Sequence, residues 1–279
     1  MPSFRVITLA EIQNRGENTV MWIKNVMSGA LRKGAFILCL LLTHNPLLMA
    51  QDGGVKNIVL VHGAFTDGSC WSDVISLLQD RGYHVTAVQN PLTSLRDDVA
   101  ATERVLERQN GDVLLVGHSW AGAVITQAGN ASNVKGLVYL SALVPDSNQS
   151  VSDALARFHA PMKGMQADKN GLIWLDEPGL FHQVMANEIS IKKSQLLAAV
   201  QQPVAASAFQ EKVKEAAWRK KPSWYLLTEN DNALNPSVQA GFAHEAGARI
   251  SRIRSDHLSM ISHPDDVAAL IVKAAQSIH

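Results

Sequence analysis

From Asn57 onward, short apolar runs rich in β-branched residues alternate with longer amphipathic segments, and this alternation limits the fold more than any other feature. Runs 58–61, 84–88, 113–116 and 134–141 read as strands, while 71–81, 95–109 and 121–130 read as helices. In 95–109, Val99, Thr102, Val105 and Leu106 mark one helical face, and Arg96, Asp97, Glu103 and Glu107 occupy the others. Strands that alternate with amphipathic helices build a parallel sheet covered on both faces. The expected class is therefore α/β, a mostly parallel sheet with helices on both sides. After Pro145 the alternation stops. Residues 147–220 contain helical segments without strands, at 178–185, 192–201 and 203–217, and read as an inserted helical cap. The pattern then resumes with a strand at 224–227, a helix at 236–246, a strand at 249–253 and a closing amphipathic helix at 264–278. A chain of 279 residues, 47% apolar, can bury one large core, so neither length nor composition demands a second full domain.

The first fifty residues follow other rules. Arg32 and Lys33 precede Gly34-Ala-Phe-Ile-Leu-Cys-Leu-Leu-Leu42, and Ala50 stands before Gln51: a basic start, a short apolar stretch and a small residue. These are the parts of a secretory signal peptide, and the apolar stretch is short for a membrane span. Residues 1–50 are thus expected to be a leader cut after Ala50, giving a secreted or periplasmic domain over 51–279. Leu48 is bulky for the third position before a cut, which leaves an uncleaved anchor as the alternative. Met21 and Met27 are alternative starts, because the leading segment is long. Loss of the leader removes Cys39 and leaves only Cys70, so the expected state is a buried, inert thiol.

Charge excludes one broad class. The chain holds 25 basic and 25 acidic side chains, and beyond Arg219-Lys220-Lys221 it has no basic cluster. A nucleic-acid partner is not expected. No metal-ligand cluster, phosphate loop or dinucleotide fingerprint is present, Gly111 and Gly117 being too isolated, so neither metal nor cofactor is expected.

What remains is small-molecule chemistry, and its focus is Gly117-His118-Ser119-Trp120-Ala121-Gly122, between a strand-like run and a helix-like one. At a G-x-S-x-G elbow the chain turns so sharply that small residues are needed two positions either side of the serine. Gly117 and Ala121 meet that need, Ala121 by one methyl more than the strict pattern. A serine acting as a helix N-cap gives the same local pattern. A serine nucleophile, by contrast, requires a general base and a group that orients it.

In open α/β sheets such groups gather at the carboxyl ends of strands. After the run 224–227 come Thr228-Glu229-Asn230-Asp231-Asn232, where Asp231 is the candidate acid, Glu229 the second choice, and an ordinary turn aspartate the alternative. After 249–253 come Ser255-Asp256-His257, where His257 is the candidate base and Asp256 competes for the acid role on spacing alone. His263, just before Pro264, fits helix capping; His62 and His118 fit structural hydrogen bonding. His62-Gly63-Ala64-Phe65 follows the first strand, as an oxyanion loop would. The expected oxyanion donors are the backbone amides of Ala64 and Trp120, each such donor contributing roughly 2.7 to 4 kcal/mol to a transition state.

With these residues in place, the chain from Asn57 to His279 resembles the α/β-hydrolases, in particular the small methylesterase-like and bacterial carboxylesterase branch. The resemblance is carried by His62-Gly63-Ala64-Phe65 with Trp71 downstream, Gly117 to Gly122, Asn230 to Pro236, and Ser255 to Ser259. Segments Trp174 to Pro178 and Gln202 to Ala206 are similar to cap segments of bacterial relatives. The resemblance implies the α/β-hydrolase fold, with Ser119, Asp231 and His257 as nucleophile, acid and base. Related hydroxynitrile lyases carry a threonine where this chain has Gly63 and a lysine where it has Leu258. Neither is present, which lowers the lyase reading.

The resulting expectation is a serine-dependent carboxylic-ester hydrolase, with a small to medium ester as partner and an open oligomeric state. Amidase, carbon–carbon hydrolase and lyase chemistry are the alternatives on the same fold, as is a ligand-binding protein of low turnover. Phe65 and Trp120 are the expected substrate-binding residues. Leu155, Phe158, Met162, Met165, Leu172, Trp174, Leu180 and Phe181 of the cap either line the pocket or pack the cap onto the core.

Overall fold

The computed structural model of the protein describes residues 54–160 and 166–278. The expected leader over 1–50 lies outside the described residues, as do Met162 and Met165.

Six parallel strands form one sheet in the order β2-β1-β3-β4-β7-β8: β1 Asn57–Val61, β2 His84–Val88, β3 Val113–His118, β4 Val134–Leu140, β7 Ser223–Thr228 and β8 Arg249–Ile253. The four inner strands are almost wholly buried, and their apolar runs are continuous rather than alternating, as expected where helices cover both faces. The edge strands β2 and β8 are partly exposed and carry His84, Thr86, Arg249 and Arg252. Charged and polar side chains on an open edge discourage pairing with another chain.

The helices are α1 Ser72–Gln79, α2 Leu95–Glu107, α3 Ala121–Ala128, α4 Val151–Arg157, α5 Pro178–Met185, α6 Ile191–Val200, α7 Pro236–Glu245, α8 Ser259–Ser262 and α9 Pro264–Gln276. Local chemistry sets their starts. Ser94 Oγ accepts from Asp97 N at 2.9 Å to cap α2, Ser150 and Asp153 form a reciprocal capping box on α4, and Asn235 Oδ1 accepts from Ser237 N to cap α7 just before Pro236. The central core includes Ile58, Leu60, Leu114, Tyr139, Tyr225 and Phe242, all fully buried. Each such side chain contributes roughly 1.5–3 kcal/mol by its removal from water.

Between β4 and β7 the chain leaves the sheet, and here two expectations fail. The segment 147–220 is not helical throughout, because Leu172–Ile173 (β5) pairs antiparallel with Val204–Ala205 (β6). Residues 203–217 do not form one helix either: β6 is followed by 3-10 turns at Ala206–Gln210 and Ala217–Arg219. The reason is where the amides go. Ala205 N donates to Leu92 O and Ala206 N to Gly171 O, both at 2.9 Å, so these groups are satisfied by other segments instead of by an α-helical ladder. The helix α4 was not apparent in the alternation, although its capping box is written in Ser150 and Asp153.

Strand order places the site. The chain steps from β1 outward to β2, then returns across β1 to β3, so the order reverses between β1 and β3. Loops that leave these two carboxyl ends diverge and open a crevice. Gly63 to Phe65 leave β1 there, and Ser119 leaves β3.

Candidate active site

Ser119 sits on the tight turn between β3 and α3 with φ of 53°, a left-handed value that a non-glycine residue adopts at a cost of order 1–3 kcal/mol. Surrounding contacts hold it there. Its amide donates to Leu140 O at 3.0 Å, and its carbonyl accepts from Gly122 N and Leu143 N. The neighbouring glycines are needed for close approach: a Cβ on Gly117 would stand 2.8 Å from Ala121 O, and one on Gly63 would stand 2.9 Å from both His118 O and Ser119 Cβ. The loop after β1 is thus pressed directly against the serine turn.

His257 comes from the loop after β8 and Asp231 from the loop after β7, and the fold brings both to Ser119. His257 Nε2 lies 2.8 Å from Ser119 Oγ, and its Nδ1 lies 2.7 Å from Asp231 Oδ2. Because a carboxylate only accepts, Nδ1 carries the proton and Nε2 presents its lone pair to the serine hydroxyl. The Asp231 side chain is fully buried and receives four further hydrogen bonds. Thr228 Oγ1 and Gln239 Nε2 donate to Oδ2 at 2.9 Å, and the Ala233 and Leu234 amides donate to Oδ1 at 2.8 Å. Thr228 and Gln239 were not singled out in the sequence. Only their burial beside the carboxylate distinguishes them from other polar residues of a strand end and a helix.

The competing residues point elsewhere. Glu229 faces Arg252 at 3.9 Å on the surface. Asp256 accepts from Glu188 N and Ser262 Oγ, at 3.1 and 2.8 Å, and its carboxyl is raised by burial. His263 Nε2 meets Glu188 Oε2 at 3.0 Å. His118 Nε2 donates to His257 O at 2.9 Å, and burial holds its pKa well below the ordinary value, so the ring is neutral and pins the backbone of His257. His62, also lowered by burial, bonds Gly63 O through Nδ1 and accepts from Asn90 N at Nε2, both at 2.9 Å. Each of the two structural histidines therefore braces one loop of the site. The Cys70 thiol is free and buried, and burial pushes its pKa up, away from thiolate chemistry.

Ser119 and His257 open into a cavity of about 530 Å³. Ala64, Phe65 and Trp120 line it beside the serine, and the backbone amides of Ala64 and Trp120 make no hydrogen bond among the described residues. From the inserted segment, Leu155, Trp174 and Leu180 reach the cavity, joined by Ala160, Leu175, Val184, Met185 and Phe209, which sequence reasoning did not name. Phe158 instead packs edge-on against Phe242 at 4.9 Å, and Phe181 is fully buried beneath α6 beside Leu197. Leu172 belongs to β5 and is absent from the lining. Apart from Asp231 and His257 the lining is uncharged.

A hydroxyl aligned with an imidazole and a buried carboxylate, beside two free amides, can attack an acyl carbon and hold the resulting oxyanion. Comparison with known proteins bears on the same region. The family model described as "Alpha/beta hydrolase family" matches residues 58–270. Alpha/beta hydrolase nvfD of Aspergillus novofumigatus is 25% identical over 240 residues, 78% of this chain and 96% of that protein. Putative methylesterase 11 of Arabidopsis thaliana is 24% identical over 270 residues, 83% of this chain and 67% of that protein. Among solved structures, an extracellular alpha/beta-hydrolase from a Paenibacillus species superposes with a TM-score of 0.68 at 23% identity, covering 79% of this chain and 99% of its own.

Proposed function

Because the chain belongs to the alpha/beta hydrolase family, we propose that it is a serine-dependent carboxylic-ester hydrolase acting on small to medium, uncharged esters. The observation that carries this reading is the unbroken relay from Ser119 Oγ through His257 to Asp231, at 2.8 and 2.7 Å, opening into an apolar cavity. Similarity to a putative methylesterase supports the ester over other acyl substrates.

In this mechanism His257 Nε2 takes the Ser119 proton as Oγ attacks the ester carbonyl. The amides of Ala64 and Trp120 hold the oxyanion of the tetrahedral intermediate. The imidazolium, stabilised by Asp231, then gives its proton to the leaving alcohol, and an acyl-enzyme remains on Ser119. Water enters next, loses a proton to the same nitrogen and releases the acid. Phe65 and Trp120 form the wall nearest the reacting carbon, so they contact substrate whatever its acyl group.

Wild type and Ser119→Ala incubated with p-nitrophenyl acetate and butyrate test the reading. Turnover is expected in wild type and a loss of roughly 10³-fold or more in the variant. Equal rates in the two proteins would refute a serine mechanism.

A further inference from the structure

Asp98 lies in the first turn of α2, completely buried, and the relay of Ser119, His257 and Asp231 makes no use of it. Its two oxygens serve two different parts of the site. Oδ2 accepts from the Trp120 indole Nε1 at 2.7 Å, and Oδ1 accepts from the Leu92 amide at 2.8 Å. Trp120 directly follows the serine and carries one of the two free amides, while its ring packs tilted against Phe209 of the inserted segment, 4.9 Å between centroids. Leu92 holds a left-handed backbone, φ 58°, and its carbonyl accepts from Ala205 of β6 at 2.9 Å. One carboxylate thus ties together the serine turn, the loop after β2 and the inserted segment.

We propose that Asp98 is a positioning residue: by anchoring the Trp120 indole it fixes the peptide that presents the oxyanion-binding amide, and by anchoring Leu92 it seats β6 against the same wall. The inference rests on the hydrolase reading above. Burial raises the Asp98 carboxyl to about 6, so at neutral pH and above it is mostly an anion, and its bond to the indole is charge-assisted. The charges that act on it, Asp97 of its own helix and Glu211 of the inserted segment, are both acidic. Its partners are therefore the two N–H donors rather than a cation. An indole N–H left in that buried place without an acceptor would be unsatisfied, and packing against Phe209 would be left to hold the ring. Without that anchor the backbone of Trp120 is held less firmly, and an oxyanion donor depends on a fixed amide direction.

The test is a double-mutant cycle on p-nitrophenyl acetate, a substrate too small to use most of the cavity. Asp98→Asn sets an amide NH₂ against one of the two donors. Trp120→Phe removes the indole donor and leaves the carboxylate in place. Rates are divided by the active sites titrated with a p-nitrophenyl phosphonate, so that misfolded protein does not count. Each single variant is expected to lose about tenfold in kcat, with KM within twofold of wild type in Asp98→Asn, which leaves the substrate wall intact. The double variant is expected to lose no more than the worse single, because both substitutions cut one link. Wild-type kcat per titrated site in Asp98→Asn overturns the proposal, as do losses that multiply in the double variant. If Asp98→Asn does not fold, Trp120→Phe decides alone, and a kcat within twofold of wild type then overturns it. Failure of the hydrolase reading is distinguishable, since it shows as equal rates in wild type and Ser119→Ala.

Discussion

At the scale of single residues, the site was legible where chemistry and chain position agree. Ser119, Asp231 and His257 each follow a strand in the order serine, acid, histidine, with Glu229 and Asp256 as competitors for the acid that position alone does not separate. The structure brings these three within hydrogen-bond reach of one another. The supporting residues were not legible, because their work depends on burial. Asp98 looks like any acid in a first helical turn, and Gln239 like any glutamine on a helix, until their neighbours are known. His257 and His263 give the sharpest residue-level contrast. His257→Ala removes the imidazole hydrogen-bonded to Ser119 Oγ and is expected to lower kcat roughly 10³-fold or more. His263→Ala removes a surface pairing with Glu188 and is expected to keep at least half of wild-type kcat on p-nitrophenyl butyrate. The opposite ranking in steady-state assays would move the base to His263.

At the scale of elements, the sheet could be read and the insertion only in part. Strands announce themselves by continuous apolar runs, and β2 and β8 have the expected bounds. The insertion has no such regular period: its short strands are two residues each, and their amides are satisfied by Leu92 and Gly171 far away in sequence. Its helix α5 was placed correctly, since Pro178 and the Glu177 carboxylate, which accepts from the Gly179 and Leu180 amides, fix its start. That helix turns Leu180, Val184 and Met185 toward the cavity, a spacing of four and five residues on one face. Leu180 is 45% exposed at the mouth, so shortening it leaves no buried void. Leu180→Ala is expected to raise KM for p-nitrophenyl octanoate two- to fivefold, equivalent to about 0.4–1 kcal/mol of lost apolar contact, with little change for the acetate. Thermal melting within about a degree of wild type would accompany it, whereas equal KM values for the longer ester would remove α5 from the binding wall.

For the whole molecule, the reversal of strand order between β1 and β3 explains why the site gathers buried histidines. His62 braces the loop that leaves β1 there, at Gly63 and Asn90, while His118, at the end of β3, reaches across to His257 O in the loop after β8, both as neutral rings. The same arrangement makes stability depend on pH. Burial lowers the pKa of both rings below 6.5, so the unfolded chain binds more protons than the folded one as pH falls through that value. Their contribution is therefore present above pH 6.5 and lost below it, by up to about 1.4 kcal/mol per pH unit for each ring. Asp98 and Asp256 act in the opposite sense. Burial raises both, Asp98 to about 6, so the folded state takes up their protons first and is favoured as pH falls below that point. The sum predicts that the unfolding free energy begins to fall as pH drops through 6.5, with Asp98 and Asp256 offsetting part of that slope at lower pH. Urea unfolding at half-unit intervals from pH 8 to 5 measures it. His118→Gln keeps a donor for the His257 carbonyl but cannot titrate, and its curve is expected to be flatter below pH 6.5, by a slope that approaches one proton below about pH 6. A variant curve parallel to wild type would show that His118 is not held neutral by the fold.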